Sequence, residues 1–200
     1  MLAMFRVFTV VLTSVAVAFY RWALEHPRTA PLQVETIVFK RIAARVGEQV
    51  NSAGGMKVGD KTYQLEFIYE DNEAKAESAT AAALKLITQD QVLAVIGPQA
   101  SKQAVPAGEI CNSFKTPMIS PWSTNPKTTL DRPYVFRACF LDPFQGPVAA
   151  NFVTEEFGAK KAAVLYDIAS AYPKGLAEYF KTAFEKLHGP GSVVAFETFT

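Results

Sequence analysis

The chain has 200 residues with 20 basic and 19 acidic side chains, so its formal net charge is +1. Half of the residues are apolar and a fifth are charged, which is typical of a globular protein with a buried core. A near-neutral chain without a basic stripe interleaved with aromatic residues is not expected to bind nucleic acid. The two cysteines, Cys111 and Cys139, are too few for a disulfide scaffold and are expected to be buried free thiols.

The first 20 residues join one arginine, Arg6, to an uncharged apolar run from Val7 to Tyr20. A small-x-small site at its end predicts a secretory signal peptide over residues 1–18, cleaved after Ala18, and hence a periplasmic protein. The run is short for a membrane span, which takes about 20 apolar residues. An uncleaved anchor or a buried first strand remains open, because periodicity alone does not separate these alternatives.

The next segments predict a helix, a strand and a second helix. Apolar residues recur every three or four positions from Val34 to Val50, and Gly54-Gly55 should end that helix. Residues 63–69 alternate between apolar and polar and predict a strand. Asp71 or Asn72 is expected to cap a helix over 73–88, whose buried stripe is small: Ala76, Ala79, Ala83 and Ile87.

Two hydroxyl-rich loops follow two short apolar runs in the middle of the chain. Residues 92–96 predict a buried strand that stops at Gly97-Pro98, and 117–119 predict a second strand ending in the polar loop 120–126. The helix between them has an apolar face made of Ala104, Ala107, Ile110, Cys111 and Phe114. Open α/β sheets bind ligands at the carboxyl ends of their strands, where both loops should lie.

The last third continues the alternation. We predict strands at 134–138, 162–166 and 193–199, a helix from an Asp142-Pro143 cap to Phe157, and a helix from Pro173 to His188. Alternating helices and strands predict an α/β fold with parallel sheets flanked by helices.

Motifs for catalysis, cofactors and metals are missing from the sequence. It has no glycine-rich phosphate loop, no G-x-S-x-G and no spacing of histidines or cysteines suited to a metal, so we expect neither an enzyme nor a cofactor. Ser101 is better placed for binding, because a helix N-terminus attracts carboxylates. Ser123 and Thr124 add hydroxyls on the next loop, although Ser101 as a simple cap and 120–126 as a simple turn would give the same pattern.

From Val46 to Thr200 the chain resembles the leucine/isoleucine/valine-binding proteins, the substrate-binding subunits of branched-chain amino-acid ABC importers. The ordered motifs that carry the resemblance are NSAGG, YEDN, VIGPQAS, TPMISPWSTNPKTT, YVFRA, DPFQGPVAA and YDIASAYPKGLA. The resemblance implies a two-lobe, type I periplasmic-binding-protein-like fold that closes on an amino acid or related small carboxylate and docks on a membrane permease. Lobe one would span 34–141, and lobe two would begin at 142–200.

The same resemblance assigns roles to individual residues. Ser101 and Thr124 would hold the ligand carboxylate, with Ser123 beside them. The carbonyl of Trp122 and the hydroxyl of Thr124 would accept from the ligand ammonium, and Tyr172 would reach across the cleft. Asp142 and Gln145 would be structural.

Three departures from the family pattern bear on these expectations. Position 122 is usually small but is Trp here, which changes the pocket or stacks on a ligand. Residues 20–33 do not match the family's first strand and loop. The family's acidic partner for the ammonium would lie beyond Thr200, so an amino-terminal fragment is expected. A ligand sensor of the same fold, or a nonfunctional truncated fragment, are the alternatives.

Overall fold

The computed structural model describes residues 31–200, with side chains from residue 41 onward. These residues belong to two compact units, the first ending at Phe67 and the second running from Ile68 to Thr200. The signal peptide predicted over 1–18 lies outside the described residues, as does most of the divergent stretch 20–33. Within the described part, no helix has both the length and the apolar character needed to cross a bilayer.

The first unit is a long helix followed by a short hairpin. Helix α1 covers Pro31–Ser52, and Gly54 and Gly55 follow it with φ values of 100° and 98°. These positive φ values confirm the predicted glycine stop, since other residues adopt this region at a cost. Strands β1 (Met56–Val58) and β2 (Lys61–Tyr63) then pair antiparallel.

The strand predicted over residues 63–69 is wrong. Only Tyr63 belongs to a strand, and residues 64–69 have no regular structure. The side chain of Asn51 binds this segment instead, because its amide donates to the Leu65 carbonyl at 2.8 Å and its carbonyl accepts from the Leu65 amide at 2.7 Å. An alternating pattern does not by itself provide the neighbouring strand that backbone hydrogen bonds need.

The second unit contains two parallel sheets separated in sequence by a helix. Three strands form the first sheet in the order β3-β4-β5: Val95–Ile96, Met118–Ser120 and Val135–Arg137. The second sheet pairs β6 with β7: Ala162–Asp167 and Val193–Phe199. The helices are α2 to α5: Ala76–Thr88, Ser101–Ser113, Asp142–Phe157 and Ala171–His188. This alternation confirms the predicted α/β class with parallel sheets.

Small side chains make the core of the first sheet and its helices. Ala79 and Ala83 on α2 are buried as predicted, and they pack with Ala104, Ala107 and Cys111 on α3. Because these side chains are short, the two helices approach closely. Burial raises the pKa of the free Cys111 thiol to about 11, which makes this thiol a packing group rather than a nucleophile. Phe114, predicted to join this face, is 49% exposed, since α3 ends one residue before it.

The second sheet packs against α4 and α5 through a smaller core. Ala150, Phe184 and Val193 are buried there. Gly146 brings α4 very close to α5, since a Cβ at this position would lie 2.5 Å from the Tyr179 Cβ. The close packing of α4 on α5 therefore requires a glycine at position 146.

The predicted caps differ from those observed. The residue before α2 is Lys75, while Asp71 and Asn72 instead accept from the amides of Glu73 at 2.8 Å and Ala74 at 3.0 Å. These are local Asx turns, which short polar side chains form as readily as caps. Asp142 is likewise the first residue of α4 and not its cap.

Candidate functional site

The loop after β3 leads directly into α3, and Ser101 is the first residue of that helix. Ala100 precedes it as the cap residue and makes no side-chain cap bond, so the interpretation of Ser101 as a simple cap is wrong. Ser101 is only 1% exposed. The first amides of a helix have no partner within it and carry its positive end, so the backbone here suits a carboxylate.

A network of hydroxyl groups joins this helix start to the loop after β4. The Ser123 hydroxyl donates to Ser101 Oγ at 2.9 Å and lies 2.5 Å from Thr128 Oγ1. The backbone amide of Asn125 also donates to Ser101 Oγ, at 3.3 Å. Since Ser101 Oγ accepts both bonds, its own proton is directed to neither partner and is available to an added acceptor.

Ser120 fastens the two loops together from the end of β4. Its hydroxyl donates to the Pro98 carbonyl at 2.6 Å and accepts from the Ser123 amide at 3.1 Å. Ser120, Ser123 and Thr128 are all fully buried. We call Ser101, Ser120, Ser123 and Thr128 the serine network; each of its hydroxyls has a hydrogen-bond partner.

Arg137, on β5, holds the loop after β4 from the other side. One guanidinium nitrogen donates to the carbonyls of Ser123 at 2.7 Å and Asn125 at 2.9 Å. The other donates to the Pro126 carbonyl at 3.2 Å and to Thr129 Oγ1 at 2.6 Å. Burial lowers the pKa of Arg137, with nearby Cys139 and Asp142 opposing that shift. The sequence reasoning missed this residue, whose charge within a short strand was the available signal.

Thr124 and Asp142 form a buried polar pair next to the serine network. The backbone amide of Asp142 donates to the Thr124 carbonyl at 3.0 Å. Asp142 is 0% exposed and Thr124 is 4% exposed. Within the described residues, neither the Thr124 hydroxyl nor either Asp142 carboxyl oxygen has a partner with good hydrogen-bond geometry. Burial raises the pKa of Asp142, while the neighbouring Thr124 hydroxyl and Arg137 lower it.

The start of α5 also reaches the loop after β4. The Asn125 side chain donates to the Ala171 carbonyl at 3.0 Å, which places Tyr172 one residue from this loop contact. The Tyr172 hydroxyl accepts from the Gln145 side chain at 3.2 Å. Trp122 is 52% exposed and takes no part in the serine network.

Two surface grooves of the described part lie away from these loops. One runs along α1 and another lies between α4 and α5. The hydroxyls and helix amides carry the chemistry for a small carboxylate, and these grooves do not contain them. We therefore place the candidate site at the loops after β3 and β4.

Comparisons with known proteins identify the family of the chain. The sequence profile of a family described as periplasmic binding protein matches residues 41–200. The chain belongs to this family. A relative in Pseudomonas aeruginosa, the leucine-, isoleucine-, valine-, threonine-, and alanine-binding protein, is 34% identical over 165 residues. That alignment covers 82% of this chain and 42% of the relative, so the chain spans less than half of the relative's length.

Two solved structures show the same fold. The branched-chain amino acid transporter substrate binding protein LivJ from Streptococcus pneumoniae, in complex with isoleucine, has a TM-score of 0.67 and 34% identity, covering 77% of this chain and 42% of that one. A solute binding protein of an ABC transporter from R. palustris, in complex with benzoate, has a TM-score of 0.64 and 27% identity, covering 76% and 41%. The predicted resemblance to leucine/isoleucine/valine-binding proteins is confirmed, and these relatives are solute-binding proteins.

Proposed function

We propose that this chain belongs to an exported, periplasmic solute-binding component of an ABC importer, which binds a branched-chain amino acid or a related small carboxylate and delivers it to a membrane permease. It is not an enzyme. The observation that carries the proposal is the buried Ser101 hydroxyl at the start of α3, with the loop after β4 folded onto it. Residues 34–141 would form lobe one and 142–200 the start of lobe two.

The geometry supports a division of roles around the ligand. Ser101 combines a free hydroxyl proton with helix amides, so we assign the ligand carboxylate to it, together with Thr124. The Thr124 hydroxyl is buried beside the Asp142 carboxyl without a hydrogen bond of good geometry, and a ligand group would satisfy it. We assign the ligand ammonium to this hydroxyl and to the carbonyl of Trp122. Tyr172 would then close over the ligand, while Ser123 orients Ser101 through their hydrogen bond.

Trp122 favours a second ligand class, the aromatic carboxylates. Its side chain is 52% exposed beside the hydroxyl loops, and an indole stacks well on a flat ring. The R. palustris relative is a complex with benzoate, which supports this ligand class. An amino acid and a benzoate share the carboxylate, so Ser101 would serve both.

Thermal unfolding with added ligands tests the proposal. We expect L-leucine, L-isoleucine, L-valine or benzoate to raise the unfolding temperature, since ligand at 100 times its dissociation constant adds about 2.7 kcal/mol. Each variant is compared with its own ligand-free baseline. Ser101→Ala should abolish the shift, whereas the matched control Ser113→Ala, exposed on the same helix, should keep it. No shift with any of these ligands would refute the proposal.

The Trp122→Ala variant separates the two ligand classes. Loss of the benzoate response with a retained leucine response would assign an aromatic carboxylate as the ligand. A sensor of the same fold would bind the same ligands, and a kinase or regulator gene beside this one, in place of permease and ATPase genes, would favour sensing over import. Failure of the wild-type chain to unfold cooperatively would favour the nonfunctional fragment.

A further inference from the structure

The first turn of α5 makes an unusually close contact with two other parts of the second unit. A Cβ at Gly175 would lie 3.1 Å from Asp142 Oδ2 and 3.2 Å from Asn125 Nδ2. These distances are shorter than most Cβ contacts, so a side chain at 175 would require a shift of α5 or of the Asp142 and Asn125 side chains. Glycine is unfavourable inside a helix compared with alanine, and close packing gives a physical reason for it here.

Asn125 connects the loop after β4 to α5 through the oxygen and the nitrogen of its side-chain amide. Its carbonyl accepts from the Lys127 amide at 3.0 Å and so caps the short turn Pro126–Thr128. Its nitrogen donates to the Ala171 carbonyl at 3.0 Å. Asn125 is 8% exposed, so this second bond is shielded from water. The residue therefore links the loop that carries Thr124 to the helix that carries Tyr172.

Asp142 completes the contact from the start of α4. Its amide donates to the Thr124 carbonyl, while its carboxyl group faces Gly175. Three segments that are distant in sequence thus meet at one point of the second unit. Because the point includes the neighbours of Thr124 and of Tyr172, a change there alters the distance between these two residues.

We propose that Asn125, Asp142 and Gly175 form a latch, which holds the first turn of α5 and Tyr172 against the loop after β4 and slows the release of bound ligand. The inference rests on the proposed function for its effect on the ligand. The latch itself is a property of the chain without ligand. Its three members hold the segments that carry Thr124 and Tyr172 in place, so they are positioning residues.

Asn125→Asp is the sharpest variant. Aspartate keeps the oxygen that accepts from Lys127 but cannot donate to Ala171. We expect hydrogen exchange of the amides in residues 171–176 to become faster, by roughly 3- to 10-fold for the loss of one hydrogen bond. Asn125→Ala should raise hydrogen exchange in the same turn. Because alanine lacks the donor but adds no charge, this variant separates the loss of the donor from the effect of the added charge. Asn151→Asp, at an exposed position of α4, is the matched control and should leave that turn unchanged.

Gly175→Ala tests the close contact separately. It should favour the helix intrinsically, yet displace its first turn, so exchange in 171–176 should rise without a loss of thermal stability. Lys174→Ala, exposed in the same turn, serves as its control. Unchanged exchange in both Asn125→Asp and Gly175→Ala would overturn the latch.

Binding kinetics with L-leucine then test the effect on release. We expect the dissociation rate to rise by about 3- to 10-fold in Asn125→Asp while the association rate stays constant. A merely destabilised protein would instead lose active fraction at an unchanged dissociation rate. If wild-type protein binds neither leucine nor benzoate, the proposed function fails, and the exchange measurement still decides whether the latch exists.

Discussion

Ser123 and Thr124 are adjacent, equally buried hydroxyl residues with opposite surroundings. Ser123 is 0% exposed and its hydroxyl bonds to Ser101 and Thr128. Thr124 is 4% exposed and, within the described residues, its hydroxyl has no partner of good geometry. A buried polar group without a partner costs stability. The bonded hydroxyl of Ser123 therefore stabilises the loop, while the hydroxyl of Thr124 is the one that we propose for ligand binding.

The largest expected effect comes from Arg137, which secures the loop carrying both residues. Arg137→Met removes four hydrogen bonds to this loop and should lower the free energy of unfolding by about 2–4 kcal/mol. Urea denaturation measures this loss. Lys127→Met, exposed on the same loop, is the control. If Arg137→Met lowers the free energy of unfolding no more than Lys127→Met does, the Arg137 hydrogen bonds do not stabilise this loop.

Ser123→Ala tests the network side of the comparison. It removes the bonds to Ser101 and Thr128 and leaves their buried oxygens with fewer partners. We expect a loss of about 1–3 kcal/mol in the free energy of unfolding, measured by urea denaturation. Unchanged stability would mean that the network is not part of the scaffold.

The pH dependence of stability tests the Thr124–Asp142 pair through the Asp142 carboxyl group. Burial raises the pKa of its carboxyl above the ordinary value of 3.8, so the folded state binds the proton more tightly than the unfolded state does. The resulting stability is present below pH 3.8 and is lost as pH rises through the raised pKa. Asp142→Asn lacks this titration and should therefore gain stability relative to wild type over that range.

Unfolding free energies measured from acid to neutral pH give this difference. Asp131→Asn, at an exposed position, is the matched control. A difference between Asp142→Asn and wild type that shrinks with rising pH would indicate that the charged carboxylate is stabilised in the fold.

Thr124→Val should have the smallest effect on stability. Valine keeps the shape and removes a hydroxyl that lacks a hydrogen bond of good geometry, so the unfolding free energy should change by less than about 1 kcal/mol or rise. Ligand-induced stabilisation should nevertheless disappear. A larger loss would show that the hydroxyl is bonded to Asp142, and the contrast with Ser123 would then fail.

Local patterns predicted most of the secondary structure. The stripe of Ala79 and Ala83, the glycine stop after α1 and the last strand all agree with the structure, because each depends on residues close together in sequence. The strand at 63–69 was wrong, since its partner was a side chain, Asn51, and not a second strand. Strand pairing is a property of two segments, and one segment's alternation does not determine it.

The candidate site divides in the same way. Ser101 and Thr124 could be proposed from the sequence because loops at the ends of parallel strands are recognisable there. Arg137, Asn125 and Gly175 were missed, since their importance comes from contacts with residues 8 to 50 positions away. For Arg137 the available signal was a charged residue in a short strand, and for Gly175 it was a glycine inside a helix.

The sequence by itself determined the α/β alternation, the two hydroxyl loops and the family to which the chain belongs. These follow from periodicity, turn residues and the order of short motifs. Only the tertiary structure decided which buried hydroxyl has partners and which does not. The reason is that the bond between Ser101 and Ser123 joins residues 22 positions apart, and the bond between Asn125 and Ala171 joins residues 46 positions apart.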